Sequence, residues 1–156
     1  DESFFAHMEE IDYHWKSYLA GYEVWVEPKA TLYHLGGGTL QMQSAEKTYL
    51  NHRNSLILLL SNYSVIKSIF YFKIRLPLEI ISSIKDLIIF KPLHFLNHYR
   101  ALLWIIFNFS LIIKRRRKIK SIKVKSNATL IKEGLILNSS IVFRYYILGK
   151  KKYLNL

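Results

Sequence analysis

The sequence predicts an α/β segment followed by amphipathic α-helices, and three patterns support this fold class. Apolar residues recur at three- and four-residue spacing over 7–20, which predicts a helix. Over 22–27, Tyr and Val alternate with Glu and Trp, which is the period of a β-strand. Beyond residue 60 the pattern becomes helical and strongly basic. We therefore expect three regions: an α/β portion (1–60), a basic amphipathic helical region (61–125) and a basic tail (126–156).

Turn signals separate the predicted elements of the first region. Gly21 follows the first helix, where a left-handed cap residue belongs. Residues 31–34 form a second short extended piece, and the glycines at 36–38 predict a turn. A further helix is predicted over 45–60, polar at first and then apolar.

Two prolines suggest where the later helices begin, because proline is favoured in the first helical turn. After Pro77 an apolar side separates from a polar side, and Pro92 precedes another helical stretch. The apolar residues are Leu78, Ile81, Ile84 and Ile88; the polar ones are Glu79, Ser82, Ser83 and Asp86. The block 101–113 is apolar, but a membrane-spanning helix needs about 20 residues. We expect an interfacial or buried core helix there instead.

Charge is divided unevenly along the chain. Residues 1–46 carry eight acidic and two basic side chains, whereas 47–156 carry three acidic and twenty-one basic ones. The acidic part suits cation binding or proton transfer, and the basic part suits an anionic membrane, a polyanion or an acidic partner. The chain has no cysteine, which excludes disulfides and thiolate chemistry.

The acidic cluster Glu9, Glu10 and Asp12 has two interpretations. It is either a solvated acidic face, favoured by the dipole at a helix N-terminus, or a source of catalytic carboxylates. His34 is likewise either a hydrogen-bonded structural histidine or a functional one. The glycines that follow indicate by themselves only a turn.

The order of these motifs resembles the C-terminal half of the catalytic domain of family 2 glycosyltransferases, which are inverting enzymes with the GT-A fold. The resemblance rests on Phe4 to Asp12, Trp15-Lys16, Gly21-Tyr22, Val26 to Pro28, Tyr33 to Thr39 and Lys47 to Asn54. It extends more loosely to Ser140 to Tyr146. It implies the C-terminal part of a GT-A domain over 1–60, in a bacterial enzyme of cell-surface polysaccharide synthesis.

The resemblance also implies roles for individual residues. Glu10 aligns with the general base, beside Glu9, and would accept the proton of the acceptor hydroxyl as that oxygen attacks a nucleotide sugar. The family more often has Asp at this position. Asp12 matches a second acidic position, which organises the helix or binds acceptor. Trp15 would pack beneath the site, on the acceptor side.

On the donor side, the resemblance implies a divalent metal and a diphosphate site. His34 would complete Mn²⁺ or Mg²⁺ coordination or contact the diphosphate, with Gly36 and Gly37 in the adjoining loop. Lys47, Arg53 and Asn54 would hold the departing diphosphate, although solvation of their helix explains them equally well.

The Asp-x-Asp metal motif of the family's nucleotide-binding half does not occur in the sequence. We therefore expect that these 156 residues neither bind a nucleotide sugar nor turn over alone, and that an N-terminal half is required. The sequence does not identify the sugar, the acceptor or the linkage.

The basic region predicts attachment to a membrane. Residues 114–125 hold eight Lys or Arg and no acid, next to an apolar block. This favours a cytoplasmic enzyme bound peripherally to the inner face of the cytoplasmic membrane, where lipid-linked acceptors reside. An ordinary amphipathic bundle with a solvated charge run is the alternative, and no nucleic-acid-binding module is recognisable. A second functional hypothesis is a non-catalytic remnant that serves only as a membrane- or protein-interaction module.

Overall fold

The computed structural model describes residues 1–33, 40–41, 43–139, 141–146 and 148–150, and within them every regular element is helical. A short 3₁₀ helix, Glu2–Phe4, precedes the α-helices. These are α1 (Glu9–Leu19), α2 (Ala45–Asn62), α3 (Val65–Ile88), α4 (Pro92–Phe107), α5 (Phe109–Ile122), α6 (Asn127–Lys132) and α7 (Ile141–Tyr146).

The prediction of an α/β fold, and of a GT-A fragment over 1–60, is wrong for the described residues. Residues 22–27, expected as a strand, have no regular secondary structure, and neither do 31–33. A strand is stable only when its backbone groups pair with a neighbour, and the described chain offers these residues no partner strand. Side chains of this segment are accordingly exposed to solvent, among them Trp25 and Val26.

The predicted helix boundaries agree better with the structure, because capping is local. Gly21 has φ +86°, and the N–H groups of Gly21 and Tyr22 donate to the carbonyls of Tyr18 and Ser17. This is a Schellman motif, which satisfies the last carbonyls of α1. Ser44 caps α2 by accepting from the backbone N–H of Lys47 at 3.2 Å. Pro92 opens α4, as predicted.

Pro77 does not open a helix. It lies inside α3, which begins twelve residues earlier at Val65, behind the capping residue Ser64. A proline removes one hydrogen bond from a helix, and α3 is long enough to continue through that gap.

The chain divides into two compact units, Asp1–Val124 and Lys125–Leu156. The predicted boundary near residue 60 lies inside α2, so the helices on both sides of it belong to the first unit. In that unit α2 is the central helix and contacts α1, α3, α4 and α5. The main core cluster consists of Phe4, Leu56, Ile57, Leu58, Ile105 and Ile112.

The second unit contains α6 and α7. Ser126 caps α6, and Gly134 ends it with φ +74° in the same Schellman arrangement that follows α1.

No single helix among the described residues has the length and apolar character to cross a membrane. Only the pair α4 and α5 passes that test when joined, and the two meet at an angle of 67° around Asn108. The apolar block 101–113 is therefore divided between two helices.

Candidate functional site

The first turn of α1 presents two carboxylates to solvent. Glu9 and Glu10 are both exposed, and neither carboxylate has a hydrogen bond or ion pair within the described residues. Acidic side chains are common in the first turn of a helix, where the helix dipole presents partial positive charge. The pair is thus open to a ligand from outside.

Asp12, on the same helix, is buried, and its carboxylate has three polar partners. It accepts from Arg115 of α5 at 2.7 Å, from Lys16 at 2.5 Å and from Asn62 of α2 at 3.3 Å. Burial lowers the pKa of Lys16, outweighing the opposite effect of its hydrogen bond to Asp12. Asp12 therefore has the contacts of a residue that organises the helix, which is one of its two predicted roles.

The segment that leads into α1 is strained and held by α2. Phe5, His7 and Met8 all have positive φ, which is unfavourable for residues with a side chain. The Nδ2 of Asn54 lies 2.8–3.0 Å from the carbonyl oxygens of Phe4, Ala6 and His7.

Arg53 adds to this support. Its Nη2 donates to the carbonyls of Ser3 and Phe4 at 2.9 and 3.1 Å, and its guanidinium lies over the ring of Trp104. These contacts hold the segment that precedes α1, the helix that carries Glu9 and Glu10.

The predicted donor-site residues are placed as follows. Arg53 and Asn54 are buried and bind the backbone of 3–7, and Lys47 is half-buried in the first turn of α2. No contact joins these three to Glu9 or Glu10 in the described part of the chain. Their diphosphate role remains a prediction. His34, Gly36, Gly37 and Gly38 lie outside the described residues.

Trp15 packs at the junction of α1 and α2. Its ring meets the ring of Tyr63 edge-on at 4.8 Å, and Tyr63 in turn lies 4.9 Å from the ring of Tyr71. Burial raises the pKa of Tyr63 to about 12, so this phenol stays neutral. The aromatic contact packs α1 against the end of α2. The acceptor-side role of Trp15 stays a prediction.

A second polar centre, which the sequence did not indicate as a site, joins α2, α3 and α4. Glu79 Oε2 lies 2.6 Å from His52 Nδ1 and 2.9 Å from His98 Nδ1. Glu79 Oε1 accepts from Arg75 at 2.6 Å, and His98 Nε2 faces Asp86 at 3.1 Å. The side chains of Glu79 and His98 are 1% and 0% exposed, while that of His52 is 20% exposed.

The charges of this centre stabilise one another. Burial alone would raise the pKa of Glu79, but hydrogen bonds with His52 and His98 and the charge of Arg75 lower it overall. Burial alone would lower the pKa of His98, but Glu79 and Asp86 raise it overall. Two features of the sequence point toward this centre: His94 and His98 are one helical turn apart, and α3 has a polar side. Neither feature shows which helices meet.

The polar side of α3 faces inward, and its apolar side faces out. Glu79 and Ser83 are buried, whereas Ile81 and Ile88 are 64% and 69% exposed. The outward stripe runs the length of the helix at three- and four-residue spacing: Ile66, Phe70, Ile74, Pro77, Ile81, Ile84 and Ile88. Large contiguous apolar surfaces of this kind mark contacts with proteins or membranes.

The basic run on α5 is only partly available to a partner. Arg115 is buried with Asp12, and Arg116 donates to the Leu60 carbonyl and to Ser68. Five cations remain exposed: Lys114, Arg117, Lys118, Lys120 and Lys123.

A groove of about 590 Å³ runs between the end of α2, the start of α3 and α5. Apolar side chains such as Ile69, Phe109 and Ile113 line it together with basic ones such as Arg117 and Lys120. It therefore places an apolar lining beside positive charges.

No family model, curated protein or solved structure matches this chain.

Proposed function

We propose that this chain is the acceptor-side part of an inverting family 2 glycosyltransferase that works at an anionic membrane surface. The observation that carries the proposal is the arrangement of α1. Glu9 and Glu10 are open to solvent at its first turn, while Asp12, one turn along, is anchored in the protein interior. A general base must reach its substrate and yet be held in a fixed position.

The reaction assigned to Glu10 is proton abstraction. An acceptor hydroxyl loses its proton to the Glu10 carboxylate as its oxygen forms a bond to the anomeric carbon. The bond from that carbon to the nucleoside diphosphate breaks, and the diphosphate leaves with the electron pair. Divalent Mn²⁺ or Mg²⁺ would supply charge neutralisation to the diphosphate in the complete enzyme.

Support for precise placement of Glu10 comes from the segment before it. Three residues with positive φ are held there by Arg53 and Asn54, and strained backbone of this kind is often maintained at functional sites. The ion pair of Asp12 with Arg115 further joins α1 to α5, the helix with the exposed cations. The base on α1 is therefore connected to α5, the helix that would face the membrane, and this arrangement suits an acceptor carried on lipid.

The test is sugar transfer by the complete enzyme that contains this chain, with a lipid-linked saccharide as acceptor. Glu10→Gln should abolish transfer and leave binding of the nucleotide sugar nearly intact, because only the base is removed. Glu2→Gln is the matched control, since Glu2 is an exposed carboxylate outside α1. Wild-type turnover by Glu10→Gln would eliminate Glu10 as the base.

The exposed apolar side of α3 favours a second function. This function is interaction with a membrane or a protein, without catalysis. For a bilayer partner, the outward stripe of α3 would contribute apolar burial. The four exposed cations of α5 and Lys123, which follows it, would contribute about 1 kcal/mol each near an anionic surface.

Flotation with vesicles measures this attachment directly. We expect binding to vesicles rich in phosphatidylglycerol, weaker binding to phosphatidylcholine, and release by salt because exposed charges are screened. Changing Arg117, Lys118 and Lys120 to Gln should release the chain from anionic vesicles. Equal binding of the triple variant would refute the charge contribution. Vesicle binding without any sugar transfer by the complete protein would leave only the non-catalytic function.

A further inference from the structure

We propose that His52, Glu79 and His98 form a binding site for a divalent transition-metal ion of the zinc class. Each residue offers one ligand atom, and these atoms lie within 4.8 Å of one another. The three residues come from three different helices, α2, α3 and α4. Two imidazoles and one carboxylate are a ligand set that zinc accepts, with a fourth position left for water.

Two neighbouring side chains, Asp86 and Arg75, orient the two buried ligands His98 and Glu79. Asp86 lies 3.1 Å from His98 Nε2, so it can accept that N–H and leave Nδ1 directed at the ion. A carboxylate behind a histidine in this way fixes the tautomer and the ring orientation of metal ligands. Arg75 holds Oε1 of Glu79, which leaves Oε2 as the ligand atom.

The distances require a modest adjustment. Glu79 Oε2 is 2.6 Å from His52 Nδ1 and 2.9 Å from His98 Nδ1. Ligands about 2.0–2.1 Å from a tetrahedral ion lie farther apart than this. The two imidazoles must therefore move outward by several tenths of an ångström. Of the three ligands, His52 is the one that solvent reaches, with 20% of its side chain exposed.

The charge balance tolerates an ion despite the adjacent Arg75. Histidine binds a metal in its neutral form, so Arg75, Glu79 and Asp86 then carry the charge of the site. Their net charge of −1 favours a divalent cation.

This site differs from the metal position that the sequence resemblance implies at His34, and it does not depend on the proposed function. Its consequence is structural, because an ion held by three helices would tie α2, α3 and α4 together. Binding to the folded state alone raises the stability of the protein.

The experiment is calorimetric titration of the tag-free, chelator-treated chain with Zn²⁺, with thermal unfolding and Co²⁺ absorption as further readouts. We expect one equivalent of Zn²⁺ to bind, to raise the unfolding temperature, and to be replaceable by Co²⁺ with the visible spectrum of a four-coordinate ion. His52→Gln should weaken binding by about tenfold or more. Because His52 is partly exposed, this variant should fold even if His98→Ala does not.

Two matched variants make the result specific. His14→Gln removes an exposed histidine on α1 and should bind as the wild type does. His34→Gln should also bind normally if the ion lies at His52, Glu79 and His98. Loss of binding in His34→Gln with retention in His52→Gln would overturn the proposal, as would the absence of saturable binding. Failure of Glu10 as a base would leave this result unaffected.

Discussion

Asp12→Asn should destabilise the protein, because it removes the charge of a buried, ion-paired side chain while nearly keeping its shape. Arg115 and Lys16 would both lose the carboxylate of Asp12, now at 2.7 and 2.5 Å. Breaking a buried ion pair costs about 3–5 kcal/mol. Arg115 keeps Asp1 and Ser61 as partners, and Lys16 keeps Asp1. We therefore expect the lower end, a loss of about 3 kcal/mol.

Urea unfolding followed by tryptophan fluorescence measures this loss, since Trp15 lies on the same helix. For a chain of this size, a loss of about 3 kcal/mol also lowers Tm by about 6–12 °C. Glu9→Gln is the matched control, because it removes an exposed carboxylate from the same helix and should cost about 0.5 kcal/mol. A loss below about 1 kcal/mol for Asp12→Asn, or an equal loss for both variants, would show that the ion pair does not anchor α1.

Three further changes test local parts of the fold, each measured as a shift in urea unfolding. Asn54→Ala removes the Nδ2 donor shared by three backbone carbonyls and should cost about 2–3 kcal/mol; a loss near zero would mean that water replaces it. Gly21→Ala places a side chain at φ +86° and should cost about 1 kcal/mol, while neutrality would exclude the left-handed cap. Pro77→Ala should instead stabilise the chain by about 1–2 kcal/mol, because Pro77 is exposed and interrupts α3; destabilisation would indicate that the proline sets the packing of this helix.

Local chemistry determined much of the helical framework. Gly21 has positive φ, Pro92 opens α4, and the apolar and polar sides of α3 are separated as their spacing predicts. The acidic first turn of α1 is also where its sequence places it. Each of these features depends on residues within one or two helical turns, so the sequence alone contains the necessary information.

Long-range packing decided the rest. The spacing of Ile81 and Glu79 separates two faces of α3, but it does not say which face turns inward, and the polar face does. Alternation over 22–27 describes a strand only where another strand is present to pair with it.

The two polar centres likewise needed the tertiary structure. Arg115 is 103 residues from Asp12, and His52, Glu79 and His98 lie on three separate helices. A sequence shows which side chains share a face of one helix. It does not show which faces meet, because a charged group is buried only where partners compensate for its lost hydration, and here some of those partners lie on distant helices.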